Sequence, residues 1–421
     1  LLYRTPFIPQ VMQLSFSFSM ELDYTGIERL SLRQSTEKEH RTMGTTLFER
    51  IVTAHLVSGT MEQGHEVAVN IDQALIQDAT GPLVFQQLES LGVESIRSER
   101  LVTYVDHSTH QFFPENAEDQ RYLQSCSARY GAYFSRAGNG ICHQVHLERF
   151  AQPGKTLLGA DSHTPTSGAL GMLAMGAGGL DVAMAIAGYP YYITFPTLVK
   201  LELKGTLEPR VSAMDIALSV LSIFTTHGNS TKVLEYGGEG VEYLSVPQRA
   251  TLANLGAEAG VVTSLFPSDH MTRQFLRRHN RAEEWRELFT DPHARYDEVV
   301  RITLDDIVPC AAQPHSPDKV CPVEEIEGIT VDQVCIGSCA NSSYRDLATV
   351  AALLKGRRVS PGVNLFVTPG SRRILSAVMK SGVLTTLIEA GARIMEPSCG
   401  FCIGQGQAPP SGGVSLRTSN R

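Results

Sequence analysis

The sequence predicts an α/β fold with mixed and mainly parallel sheets. The first observation is a repeated order of short apolar run, polar turn and amphipathic segment, which is the pattern of strand, loop and helix units. The second is that the histidines, carboxylates and cysteines able to do chemistry follow directly after these apolar runs. Since ligands of open α/β sheets bind at the carboxyl ends of strands, we expect these side chains to gather along one edge.

The bulk composition is that of a globular protein of more than one domain. The 421 residues are enough for two or three domains with full cores. The contents of 42% hydrophobic and 19% charged residues are ordinary. The net charge of −8 argues against nucleic acid or an anionic membrane as the main partner. Eight cysteines in so long a chain do not form a disulfide scaffold, which favours a reducing compartment, the cytoplasm or a mitochondrial matrix.

No segment of the sequence is predicted to span a membrane. The most apolar region, residues 169–186, is interrupted by Asp181 and rich in glycine. Residues 1–42 have neither the basic and apolar regions of a signal peptide nor the acid-poor composition of a transit peptide. We therefore treat residues 1–42 as an extension and begin the first domain at residue 43.

Three α/β domains are predicted, over residues 43–196, 197–316 and 317–421. In the first, we predict strands and helices in alternation, and a single tightly packed helix in the small-residue stretch 168–188. Residues 307–323 contain four prolines and are predicted to be a linker. The remaining predicted elements are strands at 67–71, 101–105, 156–159, 198–205, 331–336, 363–367 and 392–396, and helices at 45–58, 83–91, 117–135, 212–225, 251–258, 342–355 and 371–380.

Three cysteines in the last quarter of the chain have the setting of metal ligands. Cys339 lies in VCIGSCANSSY, and Cys399 and Cys402 form a C-x-x-C pair in PSCGFCIGQ. Each lies in a Gly- or Ser-rich turn after an apolar run, which suits an iron–sulfur cluster with one iron free of protein ligands. The residues alone leave two alternatives. Cys335 could complete a four-cysteine zinc site, or the thiols could be buried without a metal.

Three acid–histidine elements are candidates for proton transfer: Asp106-His107, Asp161-Ser162-His163, and His143 within ICHQVH. An aspartate next to a histidine fixes its tautomer and raises its basicity, which suits general acid or base catalysis. Taken singly, each is more typical of a turn or a helix cap. His143 and His146 could also share a helix face and bind zinc.

The cysteine motifs G-S-C-x-N-S-S and C-G-x-C-I-G-Q closely resemble those of the aconitase family of hydro-lyases. That family includes isopropylmalate dehydratase and homoaconitase. The resemblance implies a three-domain α/β/α core with a 4Fe–4S cluster, one iron of which is open, at the domain junction. It makes Cys339, Cys399 and Cys402 the cluster ligands and excludes Cys335. Ala340 replaces the usual threonine, but it is not a ligand.

Further motifs of the family give roles to residues in the first domain. GADSHTPTSGALG is similar to the family signature G-x-D-S-H-T, which implies that its Asp, Ser and His line the active site. VDH implies an acid–base pair in which His107 donates a proton to the leaving hydroxyl, and GICHQ implies that His143 partners Asp161. In QDAT, the resemblance makes Gln77 a ligand of a substrate carboxylate and Asp78 structural. The site residues of this domain are Gln77, Asp106, His107, His143, Asp161, Ser162 and His163.

Two later segments complete the predicted site. Asn254 and Glu258 match N-x-G-A-E and share one helix face; the resemblance brings both to the cluster, with Glu258 acting on the bound hydroxyl. Thr418–Arg421 is similar to the start of S/T-x-N-R-N-F-x-G-R, in which Asn420 orients groups at the cluster and Arg421 binds a substrate carboxylate.

The printed sequence stops inside that last motif, before the swivelling domain that carries the family's serine base and further arginines. We therefore expect a broken single chain that binds a cluster but has negligible activity until such a domain is added.

The predicted activity is a hydro-lyase that interconverts citrate and isocitrate through cis-aconitate, with a tricarboxylate or dicarboxylate substrate. The alternative is the large subunit of 3-isopropylmalate dehydratase or a homoaconitase. Hypotheses of another class are an iron-sensing RNA-binding protein, which the acidic balance disfavours, and a zinc-stabilised binding domain.

Overall fold

The computed structural model describes residues 27–31 and 44–420. Strands and helices alternate through these ranges, which confirms the predicted α/β class. The strands are β1 (Ile27–Ser31), β2 (Leu56–Gly59), β3 (Glu66–Val69), β4 (Gln73–Gln77), β5 (Arg100–Tyr104), β6 (Tyr133–Ser135), β7 (Thr156–Gly159), β8 (Leu173–Gly176), β9 (Tyr191–Thr194), β10 (Thr197–Lys204), β11 (Lys232–Gly237), β12 (Thr263–Leu265), β13 (Glu298–Thr303), β14 (Cys310–Ala312), β15 (Val320–Pro322), β16 (Gln333–Gly337), β17 (Asn364–Thr368), β18 (Arg393–Ile394) and β19 (Ser415–Arg417).

The α-helices follow the same order along the chain. They are α1 (Leu47–His55), α2 (Gly81–Ser90), α3 (Pro114–Tyr130), α4 (Cys142–Arg149), α5 (Gly179–Ile186), α6 (Ala213–Phe224), α7 (Val246–Glu258), α8 (His270–Arg278), α9 (Tyr344–Leu354), α10 (Arg372–Lys380) and α11 (Val383–Glu389). None of the helices in the described part of the chain is long and apolar enough to cross a bilayer.

The first sheet is fully parallel and has the strand order β6-β5-β4-β7-β8. Its central strands β4 and β7 are buried along their whole length, as in sheets covered on both faces. Parallel strands end at one edge, so residues 77–80, 105–108 and 160–163 meet there. On one face of this sheet, α2 packs against both α3 and α5.

Two further parallel sheets complete the core. The strand order is β1-β13-β10-β11-β12 in the second, where β1 alone is antiparallel, and β18-β17-β16-β19 in the third. The second sheet carries its own apolar cluster, into which Ala340 from the third segment packs. Strands β2, β3 and β9 form a small antiparallel sheet, and β14 and β15 pair as an antiparallel ribbon. On these sheets we propose domain boundaries near residue 196 and after β15. The boundary predicted at 316 would divide the paired strands β14 and β15, which both pack against α6.

The single helix predicted over residues 168–188 is wrong. The stretch forms the end of a 3-10 turn (Thr164–Leu170), then β8, then α5. Gly171 has φ +77°, which ends the turn, and a side chain at Gly176 would lie 2.8 Å from the carbonyl oxygen of Asp161. A wholly buried parallel strand has no polar alternation, so its periodicity is indistinguishable from that of a buried helix.

Other predicted elements also differ from the structure; the helix predicted over 251–258 begins five residues earlier, at Val246. The helix predicted over 117–135 begins at Pro114 and ends at Tyr130, where Gly131 adopts φ +69° as the C-cap before β6. The helix predicted over 45–58 ends at His55 and continues as β2. The predicted linker, residues 307–323, contains β14 and β15. Of the predicted extension, residues 27–31 form β1 beside β13; the rest, together with Met43, lies outside the described residues.

Candidate active site

A cavity of about 260 Å³ lies where the carboxyl edge of the first sheet faces the cysteine-bearing turns of the third. It draws its lining from the loops after β4, β5, β7, β16 and β18, and from the start of α4. The lining residues are Gln77, Thr80, Asp106, His107, Ile141, Cys142, His143, Ala160, Asp161, Ser162, His163, Cys339, Cys399, Cys402 and Ile403.

The turn after β5 is held in place by the carboxylate of Asp78. Its oxygens accept hydrogen bonds from the backbone nitrogens of Asp106 (3.0 Å), His107 (2.8 Å) and Ser108 (2.7 Å). Burial, together with the nearby charge of Asp106, raises the pKa of Asp78. Asp78 is therefore a fixed support beneath the turn, and it is not among the residues that line the cavity.

Asp106 and His107 form a tightly bonded pair at the end of β5. Nδ1 of His107 lies 2.9 Å from Oδ1 of Asp106, and Oδ2 of the same carboxylate accepts from the backbone nitrogen of Cys142 at 2.7 Å. Burial alone would lower the pKa of His107, but the carboxylates of Asp106 and Asp161 raise it well above its usual value. This imidazole therefore stays protonated at neutral pH and can donate a proton.

The carboxylate of Asp161 contacts His143, His107 and Gln77 at the same time. Its carboxylate lies 2.8 Å from Nε2 of His143 and 3.3 Å from Nε2 of His107, and it accepts from Nε2 of Gln77 at 3.4 Å. Burial would raise the pKa of Asp161, but the imidazoles of His143 and His107 hold it well below its usual range. An ionised Asp161 therefore orients two histidines at once.

His163 links the first sheet to helix α7. Its Nε2 lies 2.7 Å from Oε1 of Glu258, and its ring packs edge-to-face on His143 with centroids 6.1 Å apart. Oγ of Ser162 lies 3.3 Å from Nδ1 of the same ring. Glu258 does not line the cavity itself but holds a histidine that does.

Two of the three cysteines, Cys339 and Cys402, are joined to α7 through Asn254 and Asn420. Nδ2 of Asn420 donates to Oδ1 of Asn254 at 2.6 Å and lies 3.4 Å from Sγ of Cys339. Sγ of Cys402 donates to Oδ1 of Asn420 at 2.8 Å. The backbone nitrogen of Cys399 donates to the carbonyl oxygen of Asp106 at 2.8 Å, so the C-x-x-C turn touches the Asp106 turn directly.

The thiols have the chemistry of metal ligands. Burial raises the pKa of Cys339, and the neighbouring Cys402 raises it further. The hydrogen bond to Cys402, with burial, raises the pKa of Cys399 well above its usual value. Buried thiolates this close together require compensating positive charge, which a metal centre provides. The donor set therefore fits an iron–sulfur centre.

The two zinc sites considered from the sequence are not formed by the described residues. Cys335 is fully buried against Phe366 and Phe401 and is not among the cavity-lining residues, so a four-thiol zinc site is not formed. His143 bonds Asp161, whereas Nδ1 of His146 lies 2.9 Å from the Tyr104 hydroxyl. These two histidines therefore do not form a zinc pair. Arg421 lies outside the described residues.

Sequence reasoning missed three residues with polar or thiol side chains at the site. Cys142 and Thr80 line the cavity, and Nε2 of Gln144 donates to the carbonyl oxygen of Cys339 at 2.7 Å. Cys142 and Gln144 flank His143 at the start of α4. Their position beside a candidate histidine in a strand-to-helix turn was the available signal.

Comparison with known proteins agrees with this geometry. Residues 49–421 match the model of the Aconitase family (aconitate hydratase). The chain belongs to the aconitase family. It is therefore placed among hydro-lyases, which confirms the resemblance seen in the motifs.

Several relatives of this aconitase-family chain are large subunits. It is 37% identical over 380 residues to "3-isopropylmalate dehydratase large subunit 2" of Archaeoglobus fulgidus, covering 90% of this chain and 91% of the relative. It is 38% identical over 366 residues to the 3-isopropylmalate dehydratase large subunit 1 of Methanopyrus kandleri, covering 86% and 87%. It is 37% identical over 384 residues to the homoaconitase large subunit of Thermus thermophilus, covering 90% of each.

A solved structure, the holo-form of Thermococcus kodakaraensis aconitase X, matches 84% of each chain with a TM-score of 0.49 and 16% identity. The names of the sequence relatives support the alternative reading of the sequence, 3-isopropylmalate dehydratase or homoaconitase, over the citrate–isocitrate reading.

Proposed function

We propose that this chain is the large subunit of an iron–sulfur hydro-lyase acting on 3-isopropylmalate. The observation that carries the proposal is the single cavity shared by Cys339, Cys399, Cys402 and the acid–histidine groups. The names of the relatives support the substrate. Homoaconitate is the second candidate, because the Thermus thermophilus homoaconitase large subunit is 37% identical over 90% of this chain.

We further propose that Cys339, Cys399 and Cys402 hold a 4Fe–4S cluster that leaves one iron without a protein ligand. Their burial around one cavity and the positive charge that their thiolates require support this. When bound, such a cluster supplies a Lewis acid for the leaving hydroxide. Asn254 and Asn420, hydrogen-bonded to each other and to the thiols of Cys339 and Cys402, would fix the orientation of these two ligands.

The chain's own residues would handle the proton given to the leaving hydroxide. His107 holds that proton on a ring fixed by Asp106 through Nδ1, which leaves Nε2 toward Asp161 and the cavity. Asp161 and His143 would keep the ring in this orientation. Gln77, at the end of β4, would bind a substrate carboxylate. Such positioned acid catalysis contributes about 10²–10⁴-fold.

The other half of the reaction requires groups that the described cavity does not provide. Among its described lining residues there is no lysine or arginine, although a dicarboxylate substrate needs cationic partners. The resemblance assigns the base that removes the carbon-bound proton, and further arginines, to a swivelling domain. We propose that a separate small subunit carries that domain, as the large-subunit names of the relatives suggest.

A substrate panel tests this function. The chain would be reconstituted with iron and sulfide under anaerobic conditions and mixed with the small subunit of a related dehydratase. We expect the ultraviolet absorbance of the unsaturated product to appear with 3-isopropylmalate, and little change with citrate or without the small subunit. Turnover confined to citrate, or equal turnover without a second subunit, would contradict the proposal.

A further inference from the structure

Four large apolar side chains are exposed on the segments that leave the carboxyl edge of the first sheet, outside the lining of the cavity itself. Leu83 follows β4, Phe112 and Phe113 follow β5, and Leu180 follows β8; their exposed fractions are 57%, 61%, 68% and 53%. Single exposed apolar residues are common on protein surfaces. These four, called the rim below, lie at the one edge where parallel strands end and the cavity opens.

The aromatic part of the rim is held in an ordered conformation. Oδ1 of Asn116 accepts from the backbone nitrogens of Phe112 (3.1 Å) and Phe113 (3.3 Å). The ring of His110 packs edge-to-face on Phe112 with centroids 4.8 Å apart. Because these contacts fix the loop while the rings remain exposed, little ordering would be required when a partner binds.

Apart from the largely buried imidazole of His107, the charged side chains of the same segments are all carboxylates. Residues 77–91, 106–120 and 160–188 contain no lysine or arginine. Next to the rim, the first turn and a half of α3 and the first turn of α5 expose four carboxylates, those of Glu115, Glu118, Asp119 and Asp181. An acidic edge repels a dicarboxylate substrate and attracts a basic protein surface. The cations that hold the substrate therefore come with a partner that this edge attracts.

We infer that the rim is the docking surface for the small subunit, and that the docking face of that subunit is basic with apolar pockets for Phe112 and Phe113. The inference rests on the proposed function, because it assumes that the site is completed by a second polypeptide. Apolar anchors at the centre and carboxylates around them are the usual anatomy of a protein interface. Docking here would bring the partner's cations over the cavity.

Association of the reconstituted full chain with purified small subunit tests the inference. The double variant Phe112→Ser/Phe113→Ser should weaken the dissociation constant at least about 10-fold, because buried aromatic anchors dominate interface energetics. Its matched control is Leu353→Ser on α9, where a leucine is 68% exposed away from this edge. The control should bind within about twofold of wild type. Visible absorbance of the cluster and far-ultraviolet circular dichroism should be unchanged in both.

The charge component needs a second pair of variants. Glu115→Lys/Asp119→Lys should weaken association and reduce its sensitivity to added NaCl, whereas Glu389→Lys on α11 should change neither. If both rim variants bind like wild type while the wild-type pair turns over substrate, the rim inference is overturned and the proposed function stands. If the rim instead mediates a homodimer that is lost in Phe112→Ser/Phe113→Ser, the rim inference alone is overturned. If the wild-type chain binds no small subunit and shows no turnover with one, both the inference and the proposed function are overturned.

Discussion

Nε2 of His163 lies 2.7 Å from Oε1 of Glu258, although the two residues are 95 positions apart in the sequence. His163 follows β7 of the first sheet, and Glu258 ends α7, which packs with the second. The contact aligns a cavity-lining imidazole with a carboxylate from another part of the chain. Glu258 therefore influences the site without lining it.

Glu258→Gln should lower kcat by about 10²–10⁴-fold, because the amide cannot take up or stabilise a proton. Iron content per chain should be unchanged, since Glu258 is not a proposed ligand. Turnover in the presence of the small subunit and iron analysis would be measured together. Glu389→Gln, on an exposed face of α11, is the control and should keep wild-type turnover. If Glu258→Gln turns over substrate as fast as wild type, Glu258 has no part in proton transfer during turnover.

Serine in place of Cys339, Cys399 or Cys402 should abolish the visible absorbance gained on anaerobic reconstitution, because each removes one proposed ligand. Cys335→Ser should reconstitute normally, since that thiol packs against Phe366 and Phe401 away from the cavity. Iron and sulfide would be quantified in all four variants. Loss of iron from Cys335→Ser would show that the ligand assignment is wrong.

The pH dependence of turnover should report the proton on His107. The pKa of His107 is raised above its usual value, so the proton-donating form is present at neutral pH and is lost as the pH rises through that raised pKa. Asp106→Asn removes one of the two carboxylates, those of Asp106 and Asp161, that raise the pKa of His107. The alkaline limb of kcat/KM for dehydration should therefore move to lower pH by about 1–3 units.

The control for that shift is Asp72→Asn. Asp72 pairs with His55 at 2.8 Å and lies before β4, at the amino edge of the sheet far from the cavity. Its removal should leave the alkaline limb in place. If the alkaline limb of kcat/KM lies at the same pH in Asp106→Asn and in wild type, the assignment of His107 as the proton donor is wrong.

The buried ion pair between Arg249 and Asp269 should contribute strongly to stability. Arg249 has no exposed surface, and its guanidinium donates to both carboxylate oxygens of Asp269, at 3.0 and 2.5 Å. Arg249→Met would leave a buried carboxylate without its partner, so the free energy of unfolding should fall by about 3–5 kcal/mol. Urea unfolding of the variant and of wild type measures this loss of free energy. The control is Arg345→Met, at an exposed arginine, for which the free energy of unfolding should change by less than about 0.5 kcal/mol.

The sequence predicted the fold class and the strand ends because apolar runs followed by polar turns are local signals. Asp106 and Asp161 follow β5 and β7 on strands flanking β4, so their proximity results from strand order. The side-chain hydrogen bond between Asn254 and Asn420 joins residues 166 positions apart. It depends on how the sheets pack against each other, and no local sequence pattern encodes that packing. Strand β8 was missed because its three consecutive buried residues, followed by a glycine, lack the alternation that identifies a strand.

The backbone hydrogen bond from Cys399 to the carbonyl oxygen of Asp106 has a consequence for inactivation of the protein by oxidation. It fastens the turn that bears two of the thiols to the turn that bears the His107 imidazole. Because this contact joins the two turns, displacement of the C-x-x-C turn on oxidation of the sulfur centre should also disturb the alignment of the His107 imidazole. Molecules with an oxidised sulfur centre would then also lose proton transfer by His107, so they would be inactive even where they still bind substrate.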